Sequence, residues 1–133
     1  MSEPFVIIAR KFLDTPGSLS GHKKLPEMKE TIRYMLDHAV GIDHAVSTKT
    51  IVQHLKSKDF HVVDERDWQI NVLGPLRVSG IFIGSKRAKG MFIIKDDNDA
   101  KIAISQIQTR IDTQTERLNI LKDECRKFGL KID

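Results

Sequence analysis

From Ala100 onward, apolar residues return at alternating steps of four and three: Ala100, Ile104, Ile107, Ile111, then Gln114, Leu118, Leu121 and Cys125. That is the seam of an a/d heptad helix, and it predicts one uninterrupted helix from Asp97 to near Lys127. At 1.5 Å per residue such a helix is roughly 45 Å long, more than a small domain needs to cover itself. The seam is narrow, because Ser105, Gln106, Gln108, Thr109, Asp112, Thr113 and Glu116 lie off it. A narrow seam on a long helix predicts pairing with a second chain, with Ile104, Ile107, Ile111, Gln114, Leu118, Leu121 and Cys125 at the dimer contact. Gln114, the polar member, would favour one register at some cost in stability. Phe128 and Gly129 mark the end, Gly129 as a C-cap.

The rest of the chain leaves room for one small domain. The full sequence has 133 residues, 40% of them hydrophobic and 30% charged, with a formal net charge of +4. This balance fits a modest core under a charged surface, and the basic excess favours a polyanionic partner. The single cysteine, Cys125, excludes an internal disulfide and fits a reducing cytosol. No stretch approaches the roughly 20 apolar residues of a membrane span, so a soluble, cytoplasmic protein is expected.

Before the long helix the sequence divides into an arm and a compact set of elements. Phe5–Ala9 is a short apolar run with β-branched residues, followed by Pro16, Gly17, Ser18, Gly21 and Pro26. It predicts that residues 1–26 form an N-terminal arm or an edge strand. Met28, Ile32, Met35 and Ala39 share one helical face over roughly 27–40, ended by Gly41. Ser47 can cap a second helix whose inward face is Ile51, Val52 and Leu55. Asp64 can cap a third, with Trp68, Val72 and Leu76 inward, and Gly74-Pro75 predicts a kink or break near its end. Ile81–Ile83 and Met91–Ile94 then flank a loop with Gly84 and Gly90, which predicts a β-hairpin.

Three helices followed by a hairpin with a basic tip resemble the winged helix-turn-helix superfamily of prokaryotic and phage DNA-binding proteins. The residues that carry the resemblance are STKTIVQHLKSK, DERDWQINVLGPLR and SGIFIGSKRAKGMFII, and the resemblance covers roughly residues 27–95. In such domains an aromatic directly follows the wing glycine, whereas here Met91 separates Gly90 from Phe92. The expected architecture is therefore α+β: a winged helix over 27–95, a dimerisation helix over 96–129 and a tail over 130–133.

The resemblance implies a third helix in the major groove of double-stranded DNA. Arg66 and Gln69, with Asn71 and Arg77, are the side chains placed to reach bases; Arg suits guanine and Gln adenine through paired hydrogen bonds. At the wing, Ser85, Lys86, Arg87 and Lys89 have no acidic neighbour and are placed to meet phosphates. Lys49, Lys56 and Lys58 of the second helix would add backbone contacts. A homodimer would carry two reading heads, which suits a transcriptional regulator acting on an inverted repeat. The alternatives are a replication or partition accessory protein, or a protein-interaction module for which DNA is irrelevant. Glu65 and Asp67, at the start of the third helix, keep the last of these open.

No enzyme is expected. His22, His38, His44, His54 and His61 show no metal-ligand spacing, and no Gly-rich phosphate loop or nucleophile motif occurs. No cofactor, metal or small-molecule ligand is inferred.

Overall fold

A computed structural model describes residues 3–132; residues 1, 2 and 133, the outermost positions of the expected arm and tail, lie outside the described residues. The chain is mixed α+β. In order it forms α1 (Pro4–Asp14), α2 (Leu25–His38), α3 (Thr48–Ser57), a helix α4 over 65–78, a hairpin of β1 (Ile83–Lys86) and β2 (Gly90–Ile93), and the long α5 (Asp97–Lys127).

The first element departs from expectation. Where an arm or edge strand was expected, Pro4 opens an α-helix. Its missing N–H costs nothing in the first turn, where no intrahelical partner exists. Val6, Ala9 and Phe12 recur every three residues and are buried in the domain core, so packing overrides the strand preference of the Val6-Ile7-Ile8 run.

The expected helical faces of the domain are the core. Met28, Ile32 and Met35 of α2, Ala39 just after it, Ile51 and Leu55 of α3, and Trp68 and Leu76 of α4 are fully enclosed. Thr31 is buried among them, and its hydroxyl accepts the indole N–H of Trp68 at 3.2 Å, satisfying the one polar group that the ring brings inside. The helix starts are capped as the sequence indicates: Ser47 accepts from Thr50 N–H, and Asp64 from Asp67 N–H.

α4 neither stops nor breaks at Pro75. It opens as an α turn (Glu65–Trp68), widens to a π turn over Gln69–Leu73, and closes as an α turn (Gly74–Val78). Within the wide turn Gly74 N–H donates to Gln69 O, five residues back. A proline in a helix lacks a donor and crowds the carbonyl four residues earlier; a π turn relieves both by inserting one extra residue.

β1 and β2 pair antiparallel with Ile83 opposite Ile93 and Lys86 opposite Gly90. β2 is also bonded on its other edge, to the segment 40–46 between α2 and α3. Val46 and Met91 exchange both backbone hydrogen bonds, at 2.9 and 2.7 Å, while Gly41 N–H donates to Ile93 O at 2.8 Å. Gly90 makes this approach possible, since a Cβ there would lie 2.3 Å from Val46 O.

α5 is fastened to the domain only at its start. Asp99 is buried and accepts from the N–H groups of Lys95 at 2.9 Å and Ile42 at 3.3 Å. Ala103 then packs beside Phe92 and Gly84. Among the described residues Gln106 makes the helix's last hydrogen bond to the hairpin, and the rest of the helix is mostly exposed and closes on Gly129 at φ 75°, with Leu130 N–H donating to Cys125 O and Gly129 N–H to Arg126 O.

Candidate nucleic-acid interface

Of the four side chains expected to face outward from α4, two do. Arg66 and Gln69 are exposed, and Glu65 and Ile70 share their face. Asn71 is turned to its own helix: its amide donates to Asp67 Oδ1 at 2.6 Å, while Asp67 Oδ2 accepts from Val63 N–H at 2.8 Å. The Val63 hydrogen bond and then the Asn71 amide hold the Asp67 carboxyl below its usual pKa, so it stays ionised at the start of α4.

Arg77 is turned inward. Its Nε and Nη2 both donate to Ile83 O, at 2.9 and 2.7 Å, and its guanidinium lies 5.2 Å from the Phe82 ring centroid. Burial, and then the nearby charge of Arg110, lower its proton affinity. Its work is to tie the end of α4 to the strand that follows.

The hairpin tip is tighter than expected, because β1 runs through Gly84 and Ser85 to Lys86. Lys89 N–H donates to Lys86 O at 3.0 Å, which leaves Arg87 and Ala88 to make the turn. Lys86, Arg87 and Lys89 are exposed, and Ser85 is half-buried. The tip is also braced: Arg87 N–H donates to the side-chain oxygen of Gln106, on α5, at 3.3 Å.

On α3, Lys49, Gln53 and Lys56 recur at four and three and form one exposed stripe, with Lys58 exposed just beyond the helix. His54 points elsewhere; its Nε2 lies 2.7 Å from Glu30 Oε2, and its ring stacks at 4.3 Å on Tyr34. Among the described residues no group of three or more His, Cys, Asp or Glu could hold a metal ion. Among the described residues no helix is long and apolar enough to cross a membrane.

The seam of α5 is bare in the single chain. Ile104, Ile107, Ile111, Leu118 and Leu121 are 40–66% exposed, and Cys125 is half-covered. Two basic residues of α5 were not among the expected site residues: Arg110 and Arg117, which line a groove with Lys86 and Arg87 of the hairpin. Their spacing of seven, on the flank of the seam, was the available signal. Comparison of the chain with family models, with curated proteins and with solved structures gives no match.

Proposed function

We propose that the chain is a winged helix-turn-helix protein that binds double-stranded DNA as a homodimer, most simply as a transcriptional regulator. α2, α3 and α4 would be the three helices of the domain, with α4 as the reading helix and the hairpin as the wing. The bonding of segment 40–46 to β2 supports this reading, because it supplies the small sheet from which a wing extends. The observation that carries the proposal is that the basic hairpin tip and the Arg66–Gln69 face of α4 are both exposed. Its action would be binding rather than catalysis, at a cytoplasmic, nucleoid-associated target.

The first test is fluorescence anisotropy with a randomised duplex pool and a salt titration. Tight binding that falls steeply with salt is expected. Reversing the charge at Lys86, Arg87 and Lys89 should weaken binding to every sequence alike; unchanged affinity would remove the wing from the interface. Gln69→Ala or Arg66→Ala should instead change sequence preference, by about 1–3 kcal/mol for each lost base contact. An unaltered preference profile would count against α4 as the reading helix.

A protein-interaction module is the second reading. Exposed Val63 and Ile70, next to the acids Glu65 and Asp67, favour it, since apolar and acidic groups suit a protein surface better than phosphates. Absence of duplex binding at low salt would select this reading.

A further inference from the structure

We propose that the groove between the hairpin and α5 is a binding site for a phosphodiester backbone, gripped by Lys86 and Arg87 from one wall and Arg110 and Arg117 from the other. Naming its natural occupant as duplex DNA rests on the function proposed above; the phosphate chemistry rests on the groove itself.

The groove encloses about 430 Å³, and its walls carry these four cations with Ser85, Thr113 and other neutral polar residues, but no acid. Among the described residues the ion pairs join Arg33 and His54 to Glu30, Arg126 to Asp123, and Lys127 to Glu124. None of them neutralises a groove cation. Arg77 adds to the crowding, since Arg110 stands near enough to depress its proton affinity. Like charges gathered without a counter-charge favour an anion between them, and the hydroxyls and amides along the walls supply neutral donors.

The shape points to a polymer rather than to one small anion. Arg110 and Arg117 lie on one face, two turns apart, and so roughly 10 Å along the axis. That is close to the rise of about three nucleotides along one strand, at 3.4 Å per step. Successive phosphates of one strand can meet both residues at that spacing. The Arg87–Gln106 hydrogen bond holds the two walls in register before any ligand arrives.

The groove is also compatible with pairing through the seam. At roughly 100° per residue, Arg110, Thr113 and Arg117 sit about a quarter-turn from Ile107, Ile111 and Leu118. Gln114 marks the border, because it belongs to the seam and also lines the groove. A second copy could therefore cover the apolar stripe and leave the basic flank open.

The test uses the full chain and an Arg110→Gln/Arg117→Gln double variant, with Arg110→Lys/Arg117→Lys as the charge-retaining control. Both positions are exposed, so the variant should fold, and a circular dichroism melt checks this. In a salt titration against the duplex pool, losing two phosphate contacts per protomer should reduce the slope of log K on log salt by about 1.8 for each bound protomer. Sequence preference should stay the same, and the lysine control should keep the slope. An unchanged slope in the glutamine variant, with duplex still bound, would overturn the groove site while leaving the DNA reading intact. The second arm titrates isotope-labelled protein with inorganic pyrophosphate. Amide shifts centred on Lys86, Arg87, Arg110 and Arg117, lost in the glutamine variant, are expected. If the wild-type chain bound no duplex, these shifts would still support the phosphate site after the DNA reading had fallen. Their absence would overturn the site.

Discussion

Gly90→Ala is expected to destabilise the protein by about 3 kcal/mol or more, an effect outside the ordinary range for adding one methyl group. Two costs combine at this position. Gly90 has φ 113°, a backbone region that side chains avoid, and a Cβ there would lie 2.3 Å from Val46 O and 2.6 Å from Val46 C. Those atoms are backbone, held by the paired Val46–Met91 hydrogen bonds, and cannot swing aside as a side-chain tip could. Gly80→Ala separates the two costs. Gly80 has φ 90° with nothing within 4 Å of its would-be Cβ, so alanine there meets backbone strain alone, about 1 kcal/mol. Thermal unfolding should place the Gly90 variant on the order of 10 °C below the wild type and well below the Gly80 variant. Equal melting temperatures for the two variants would mean that segment 40–46 does not anchor the hairpin. The Gly90 variant should also lose polyanion binding at the tip, because parting β2 from that segment frees the turn bearing Arg87.

The anchor itself was not legible in the sequence. Segment 40–46 touches β2 through two isolated bridges, too short to leave an alternating pattern, and Gly90 reads only as a turn residue. By contrast, α2 and α3 follow directly from apolar spacing and a marked start, Pro26 in the first turn of one and Ser47 capping the other, because each buries one face, while α5 follows from its heptad repeat. α1 was misread for a definable reason. Its Val6-Ile7-Ile8 run has strand composition, while the three-residue recurrence of Val6, Ala9 and Phe12 and the leading Pro4 carry the helical signal.

The site was half legible, and the π turn accounts for one of the two departures. In a regular helix, Arg77 would return to the same outward face as Arg66, since eleven residues make about three turns. The extra residue between Gln69 and Leu73 sets back everything after it by roughly 100°. That rotation brings Arg77 onto Ile83 O and puts Val78 outward, 90% exposed. Asn71 departs for another reason: Asp67 stands four residues before it, and the pair satisfies itself along the helix. No spacing argument at an ideal 3.6 residues per turn could have placed Arg77 correctly.

The largest change in assembly is expected from Ile107→Glu combined with Ile111→Glu. α5 spans 31 residues, and only its first turns rest on the domain. From Ile104 to Leu121 the seam is exposed to water in a single chain, an arrangement that a long helix sustains poorly without a partner. A second copy is the simplest cover, because the seam repeats regularly and a two-fold pair sets each residue against its equivalent. In such a pair the two substitutions would bring four carboxylates into the middle of the contact. Sedimentation should then show the mass falling from twice 15.2 kDa to 15.2 kDa. Duplex affinity for an inverted repeat should fall by about 10²–10⁴, the gain ordinarily supplied by linking two binding heads. Pyrophosphate shifts at the basic groove should survive in the monomer, because every groove residue belongs to one chain and Arg110 and Arg117 lie off the seam. A dimer that persisted through both substitutions would place the interface on another surface. A monomer that lost the shifts as well would mean that pairing holds α5 against the hairpin, and that assembly and phosphate binding are one event.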